Sequence, residues 1–312
     1  MKRTLITVLG AALLVSFVGT ASAHIGTNVY PVYELPTSDL PDVRDGTLED
    51  WEDVLPGQSL DHNEFLPLAV ADGADIDPSD LAYRVFMAWH SAGNHLYAAL
   101  ERVDDVYVNT YEGGDPINFW QFDSMEFMVD GDHTGGSYNG FSAEEYTEEE
   151  RKLLTNFQAQ QYVAIPESPD GISMGYQGNG SGWVPFPPFG DAGGFNDGNE
   201  SPNTAVIELY VTPFDELNWN GPELSRRSTL AAGRIIGFQF SIPDFDAGCA
   251  SCDPGGYHGF HTLSGQPNTW RLAENFVDGE LVGCDTGDCG SAPDEITAVE
   301  ASSWGRIKAG LR

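Results

Sequence analysis

Apolar and polar residues alternate with period two in several stretches of this chain, the spacing of strands that turn one face to a core. Residues 83–89 alternate around Tyr83, Val85, Met87 and Trp89. Residues 91–94 turn and 95–103 return, so 83–103 reads as a hairpin. Met125, Phe127 and Val129 alternate against Glu126, Met128 and Asp130, and Asp130, Gly131 and Asp132 turn that strand. Residues 204–211 and 234–242 read as two more strands, the second largely buried, and 303–309 as a last one. Ser142, Ala143, Glu144 and Glu145 have capping-box form and predict a helix over 143–158. Residues 24–41, punctuated by Pro31, Pro36 and Pro41, read as an extended lead-in strand or tether. Segments 171–202 and 247–300 are long loops rich in Gly, Pro, Asn and Asp. Many short strands, long loops and one inserted short helix predict an all-β fold. The expected architecture is an antiparallel β-sandwich over 42–312, with insertions at about 141–160, 171–202 and 247–300.

The first 23 residues change this picture. Lys2 and Arg3 precede a mostly apolar run over 5–18, and Ala21, Ser22 and Ala23 form a small-x-small site. This is the pattern of a secretory signal, whose removal exposes His24 and implies a secreted, periplasmic or cell-surface location. No second long apolar stretch follows, so no membrane span is expected after cleavage. With 48 acidic against 14 basic residues, the net charge of −34 argues against a nucleic-acid partner, which needs Lys and Arg. The four cysteines, Cys249, Cys252, Cys284 and Cys289, form two disulfides in an exported chain, with three connectivities open, or hold a structural zinc ion.

Candidate chemistry centres on Trp120, Asp123 and Glu126. A Trp ring stacks on the C–H face of a pyranose, and carboxylates accept its hydroxyl hydrogen bonds. Trp183 in the 171–202 loop is a candidate second ring, and Phe186, Phe189, Tyr257 and Phe260 are alternatives to it. Trp120 packed under a loop would instead leave an extracellular structural or envelope domain without a sugar site. Trp51, Trp89, Trp270 and Trp304 sit in strand patterns and are expected in the core. Asp104, Asp105, Asp130 and Asp132 lie just past strand ends and are candidate ligands of a structural calcium ion, with Asp197 in the long loop. Two redox alternatives exist. Copper would sit on His24 with a second imidazole from His62, His90, His95, His133, His258 or His261; haem would sit on Met87, Met125 or Met128 with a His or Lys. Those Met positions also read as packing. No nucleophile elbow, zinc-protease helix or phosphate loop is present, so no catalytic residue is assigned.

The ordered blocks resemble carbohydrate-binding modules of family 9. Trp120, Asp123, Ser124, Glu126 and Asp130 match the W-x-x-D-S-x-E-x-x-x-D strand of that family. Asp45, Gly46 and Trp51 resemble its entry motif, Ala88 to Val103 its hairpin, and Glu208 to Pro213 its E-x-x-I-P strand. Ile236, Gly237, Phe238 and Asp244 resemble a further segment, and Trp270 and 304–307 the closing strands. The resemblance implies an immunoglobulin-like sandwich of the wider DOMON-like group, with bound calcium and a terminal sugar clamped between two Trp rings. Trp120 matches one ring and Glu126 a hydroxyl-binding acid. The resemblance places the second ring in the loop before the last strand, taken as 283–300, which has Cys284, Asp285 and Cys289 but no aromatic residue. It also implies an Arg where this chain has Val163. The expected activity is non-catalytic binding of carbohydrate or polysaccharide.

Overall fold

The computed structural model describes residues 24, 28–68, 76–166, 168–178, 182–198, 201–248 and 256–284. The leader at 1–23, the strand at 303–309, Trp304, Cys249, Cys252 and Cys289 lie outside the described residues. Cys284 is described and is not a free thiol.

Fifteen strands are present among the described residues: β1 Val29–Glu34, β2 Leu60–Asp61, β3 Leu66–Pro67, β4 Leu81–His90, β5 His95–Asp104, β6 Met125–Asp130, β7 Gln160–Ala164, β8 Met174–Tyr176, β9 Gly190–Asn196, β10 Asn203–Val211, β11 Phe214–Glu216, β12 Arg226–Arg227, β13 Ile235–Asp244, β14 Gly259–Thr262 and β15 Val277–Val282. Thirteen form one sheet, with the path β8-β7-β6-β13-β15-β1-β4-β5-β10-β9; β11 and β12 pair separately. The sheet is mixed and nearly closed, not purely antiparallel. β1 runs parallel to both neighbours, β15 and β4. The segment expected as a lead-in therefore sits inside the sheet. The path ends approach each other where Gly190 of β9 meets Met174 of β8, leaving no room for a Cβ (2.9 Å to Met174 Cε).

The predicted hairpin is β4 and β5, paired from Leu81–Asp104 to His90–His95. The odd residues of β4, including Tyr83, Val85, Met87 and Trp89, and the even residues Leu96, Ala98 and Leu100 of β5 enter the main core. Phe86, Ala88, Tyr97 and Ala99 enter a second cluster under the helix α1, Glu49–Val54. Both faces of this hairpin are covered, which is why its strands are nearly unbroken in apolar residues. Trp51 is fully buried, as expected, but on α1 and not on a strand. Two short helices replace the single helix expected. The second, α2, spans Glu148–Leu154, and its capping box is Thr147 with Glu150 instead of Ser142 with Glu145. Ser142 Oγ accepts from the Glu144 N–H, a local turn bond that competes with helix start.

Candidate functional site

β6 divides its side chains as its alternation predicts. Met125, Phe127 and Val129 join the main core. Glu126, Met128 and Asp130 occupy the other face. Met128 packs with Tyr138, Ala159, Ala273 and Phe276. Glu126 lies in the floor of a groove of about 530 Å³.

Two Trp rings line that groove, Trp120 and Trp270. Trp120 closes a 3-10 turn, Pro116–Gln121. Asp115 caps this turn by accepting the Ile117 N–H at 3.1 Å, and Pro116 fits the first position because no N–H is needed there. Trp120 is half-buried against Phe119, Val163 and Ile165. Trp270 is 46% exposed, an unusual position for a Trp in a tightly bonded turn. Its turn is held by three hydrogen bonds: Tyr138 Oη donates to the Thr269 carbonyl (2.6 Å), the Tyr138 N–H to the Arg271 carbonyl (3.0 Å), and Asn275 Nδ2 to the Pro267 carbonyl (2.7 Å). Gly140, at φ +73°, lies under the ring, where a Cβ would stand 3.0 Å from Cζ3 and Cη2. The turn that carries the ring is thus held by the protein's own hydrogen bonds. Asn139, Gln161, Gln177 and Asn268 supply amide groups to the groove, and Leu68, Tyr257, Phe260 and Pro267 apolar surface.

Burial pushes the Glu126 carboxyl up to about 8, and the Gln161 amide opposes this only weakly, from 3.5 Å. At neutral pH the carboxyl is therefore mostly protonated. Ser241 stands directly opposite Glu126 on β13, and its hydroxyl is buried with no partner. Cross-strand partners share a face. Glu126 in the floor, and Ser241 buried on the same face of the sheet, thus have hydrogen-bonding capacity that the protein does not itself satisfy. Such a combination takes an amphipathic ligand with C–H faces and hydroxyl edges.

The other residues predicted for the site lie elsewhere. Asp123 is fully buried and does not line the groove of Trp120 and Trp270. It accepts the Val108 and Phe245 N–H groups and stands 3.3 Å from Arg102 Nη2. Arg102 is itself buried among Asp104, Asp123 and Asp244. Burial raises all three carboxyls, with Arg102 pulling the other way, since one guanidinium cannot neutralise three buried acids. The aspartate of the ligand motif is a structural member of this cluster. Trp183 packs edge-on against Phe189 and Phe214 beside the main core, away from the groove. Buried apolar neighbours claimed it because its loop folds back onto β11. Trp270, expected in the core, is the ring that the sequence reading missed. Trp270 lies in the loop before β15; the loop at 283–300, where the resemblance places the second ring, lies outside the described residues from 285 onward. Val163 stands opposite Glu126, so no Arg occupies that place.

The four candidate calcium ligands separate into two regions. Asp104 serves Arg102, while Asp105 groups with Asp80 and Asp246. Asp130 and Asp132 lie at the far end of β6. There Asp130 Oδ2 is 3.1 Å from His24 Nε2 and accepts the Gly135 N–H. Of the imidazoles named for copper, His133 lies beside His24, with ring centroids 4.1 Å apart. Met87, Met125 and Met128 are buried in apolar clusters.

No protein-family model matches the sequence, and no curated protein matches it. Among solved structures the chain is similar to a family 9 carbohydrate-binding module from Caldicellulosiruptor kristjanssonii in complex with glucose, at TM-score 0.47 and 13% identity over 83% of this chain and 97% of that one. It is also similar to the cellotriose complex, at TM-score 0.47 and 14% identity over 85% and 97%. No described helix is long and apolar enough to cross a membrane.

Proposed function

We propose that this protein is an exported, non-catalytic carbohydrate-binding protein whose site is the groove between Trp120 and Trp270. The observation that carries this is the solvent-facing Trp270 ring, on a hydrogen-bonded turn, sharing a groove with Trp120 over an under-satisfied Glu126. The rings supply stacking surfaces for sugar C–H faces. Glu126, Gln161, Gln177, Asn139 and Asn268 supply hydroxyl partners. A groove open on one side admits a chain end or a short oligosaccharide better than it admits a flat sheet of polymer. Affinity electrophoresis in soluble polysaccharide gels and calorimetry with oligosaccharides test this. Trp270→Ala and Trp120→Ala should each weaken binding about tenfold, roughly 1.4 kcal/mol. Unchanged retention of both variants, or no retention of the wild type in any gel, defeats the proposal.

We also infer a structural calcium site at Asp80, Asp105 and Asp246, beside the buried Asp244. Asp244 Oδ2, Asp246 Oδ1 and Asp105 Oδ1 are buried without hydrogen-bond partners, which suits a hard cation. Burial raises Asp80 to about 6, with His258 opposing. Calcium would relieve the same repulsion that His258 now offsets. Excess chelator should lower the melting temperature, and calcium should restore it. A melt indifferent to both rules the site out.

A further inference from the structure

Glu126 and Asp130 share one face of β6, about 13 Å apart along the strand. Asp130 belongs to a second cluster of chemistry, which the groove does not use. His24 Nδ1 stands 3.1 Å from Asp278 Oδ1, and His133 Nε2 stands 2.7 Å from the same oxygen. The two imidazoles meet edge-on at 82°. His24, His133 and Asp278 each bring one ligand atom within 4.8 Å of the others.

We propose that His24, His133 and Asp278 hold a divalent transition-metal ion of the zinc class. Four features point to it. First, the donors are two nitrogens and one carboxylate oxygen. Imidazole suits zinc and its borderline neighbours, whereas calcium and magnesium take oxygen. Second, Asp130 stands against the remaining nitrogen of His24, at 3.1 Å, and is itself fixed by the Gly135 N–H at 2.7 Å. A carboxylate behind a ligating imidazole sets the tautomer and aims the ring, here leaving Nδ1 to face a bound ion. Third, His24 Nδ1 and His133 Nε2 both stand within 3.1 Å of Asp278 Oδ1, so three donor atoms converge on one point that a metal ion can share. Tetrahedral ligands around zinc stand roughly 3.3 Å apart, so the present spacing needs only a few tenths of an ångström of opening. Fourth, the backbone is shaped for these two rings. A Cβ on Gly237 would lie 2.0 Å from His24 Cε1, and His133 adopts φ +60°, a left-handed conformation that costs a non-glycine residue energy. The His24 and Asp130 side chains are buried, while His133 and Asp278 are 23% and 19% exposed. A fourth position is left to solvent or a small ligand.

The test uses the full protein, stripped with chelator and dialysed. Zinc titration should saturate at one equivalent, and cobalt(II) in its place should give the visible absorption bands of a four-coordinate nitrogen–oxygen site. Excess calcium should not displace either ion. His133→Asn tolerates the left-handed backbone and should weaken zinc binding at least 100-fold. Asp130→Asn should weaken it roughly 10–100-fold without removing a ligand. Melting curves of both variants establish that they fold. Absence of zinc uptake and of cobalt bands in the wild type overturns the proposal and leaves a hydrogen-bonded clasp. So does uptake that His133→Asn leaves unchanged, since the ion would then sit on other imidazoles.

Discussion

Glu208 and Glu126 are two buried carboxyls on two strands of one sheet, and burial pushes each of them up to about 8. Their surroundings differ. Glu208 Oε1 accepts the Trp51 indole N–H at 2.9 Å, and Oε2 accepts the Gly46 N–H at 3.1 Å. Both oxygens are used by the protein, beneath α1. Glu126 has one long contact, to Gln161, and its strand partner Ser241 contributes an unpartnered hydroxyl. The same desolvation therefore serves two ends. Around Glu208 it strengthens a closed clasp that fixes α1 to β10. Around Glu126 it holds a polar group in readiness within an open groove. A raised carboxyl alone does not mark a binding site; the unmet hydrogen bonds do.

Removing each carboxyl should break this comparison most sharply. Glu208→Ala leaves the Trp51 and Gly46 donors buried and unmatched, costing roughly 2–5 kcal/mol. Its melting temperature at pH 6 should fall by about 5–15 °C, with sugar affinity unchanged once folded. Glu126→Ala orphans only a distant amide, so it should melt within a few degrees of wild type and lose affinity. Equal destabilisation by the two substitutions would show that Glu126 is a structural group.

The pH dependence sharpens the same point. A carboxyl whose folded value lies above its unfolded value keeps its proton in the folded state when the unfolded chain has released it. Its effect on stability is absent below about 4.5 and becomes a growing penalty as pH rises toward about 8. For Glu126 the penalty is at most about 5 kcal/mol. Glu126→Gln carries no such penalty. Its melting temperature should therefore fall less than that of wild type between pH 5 and pH 9, and should exceed wild type at the upper end. Parallel profiles for the two proteins would mean that Glu126 ionises freely in the groove.

Much of the closed region is legible in the sequence. The hairpin 83–103 is carried by near-continuous apolar strands, and the blocks holding Gly46, Trp51 and Glu208 can be picked out by motif; the structure supplies the bonds that tie them together. The open region is legible only in half. Trp120 and Glu126 precede and begin a strand with clear alternation. Trp270 precedes β15, whose alternation is broken by Gly279. That position is glycine because Phe238 and Val32 press against the backbone, and a Cβ would stand 2.9 Å from Phe238 Cδ1. The 283–300 loop, where the resemblance places the second ring, follows β15 and lies from 285 onward outside the described residues. Asp123 misleads for a different reason. Its motif position suggests a ligand contact, but the Arg102 cluster forms from β5, β13 and the approach to β6, which no local pattern reveals. The parallel placing of β1 between β4 and β15 is likewise a long-range event.

The smallest expected effect tests whether the groove works because Trp270 is fixed in advance. Gly140 and Gly57 share nearly the same backbone, φ +73° each, but only Gly140 has the Trp270 ring against it; nothing lies within 4 Å of a Cβ on Gly57. Alanine at either position meets the same left-handed strain, about 1 kcal/mol. Gly140→Ala must in addition move the ring by a few tenths of an ångström. The two variants should therefore lose similar stability, while only Gly140→Ala loses affinity, roughly two- to fivefold by calorimetry. If Gly57→Ala weakens binding as much, general loosening of the fold is responsible. If neither does, Trp270 adjusts to its ligand, and the hydrogen bonds from Tyr138 and Asn275 hold the loop without aiming the ring.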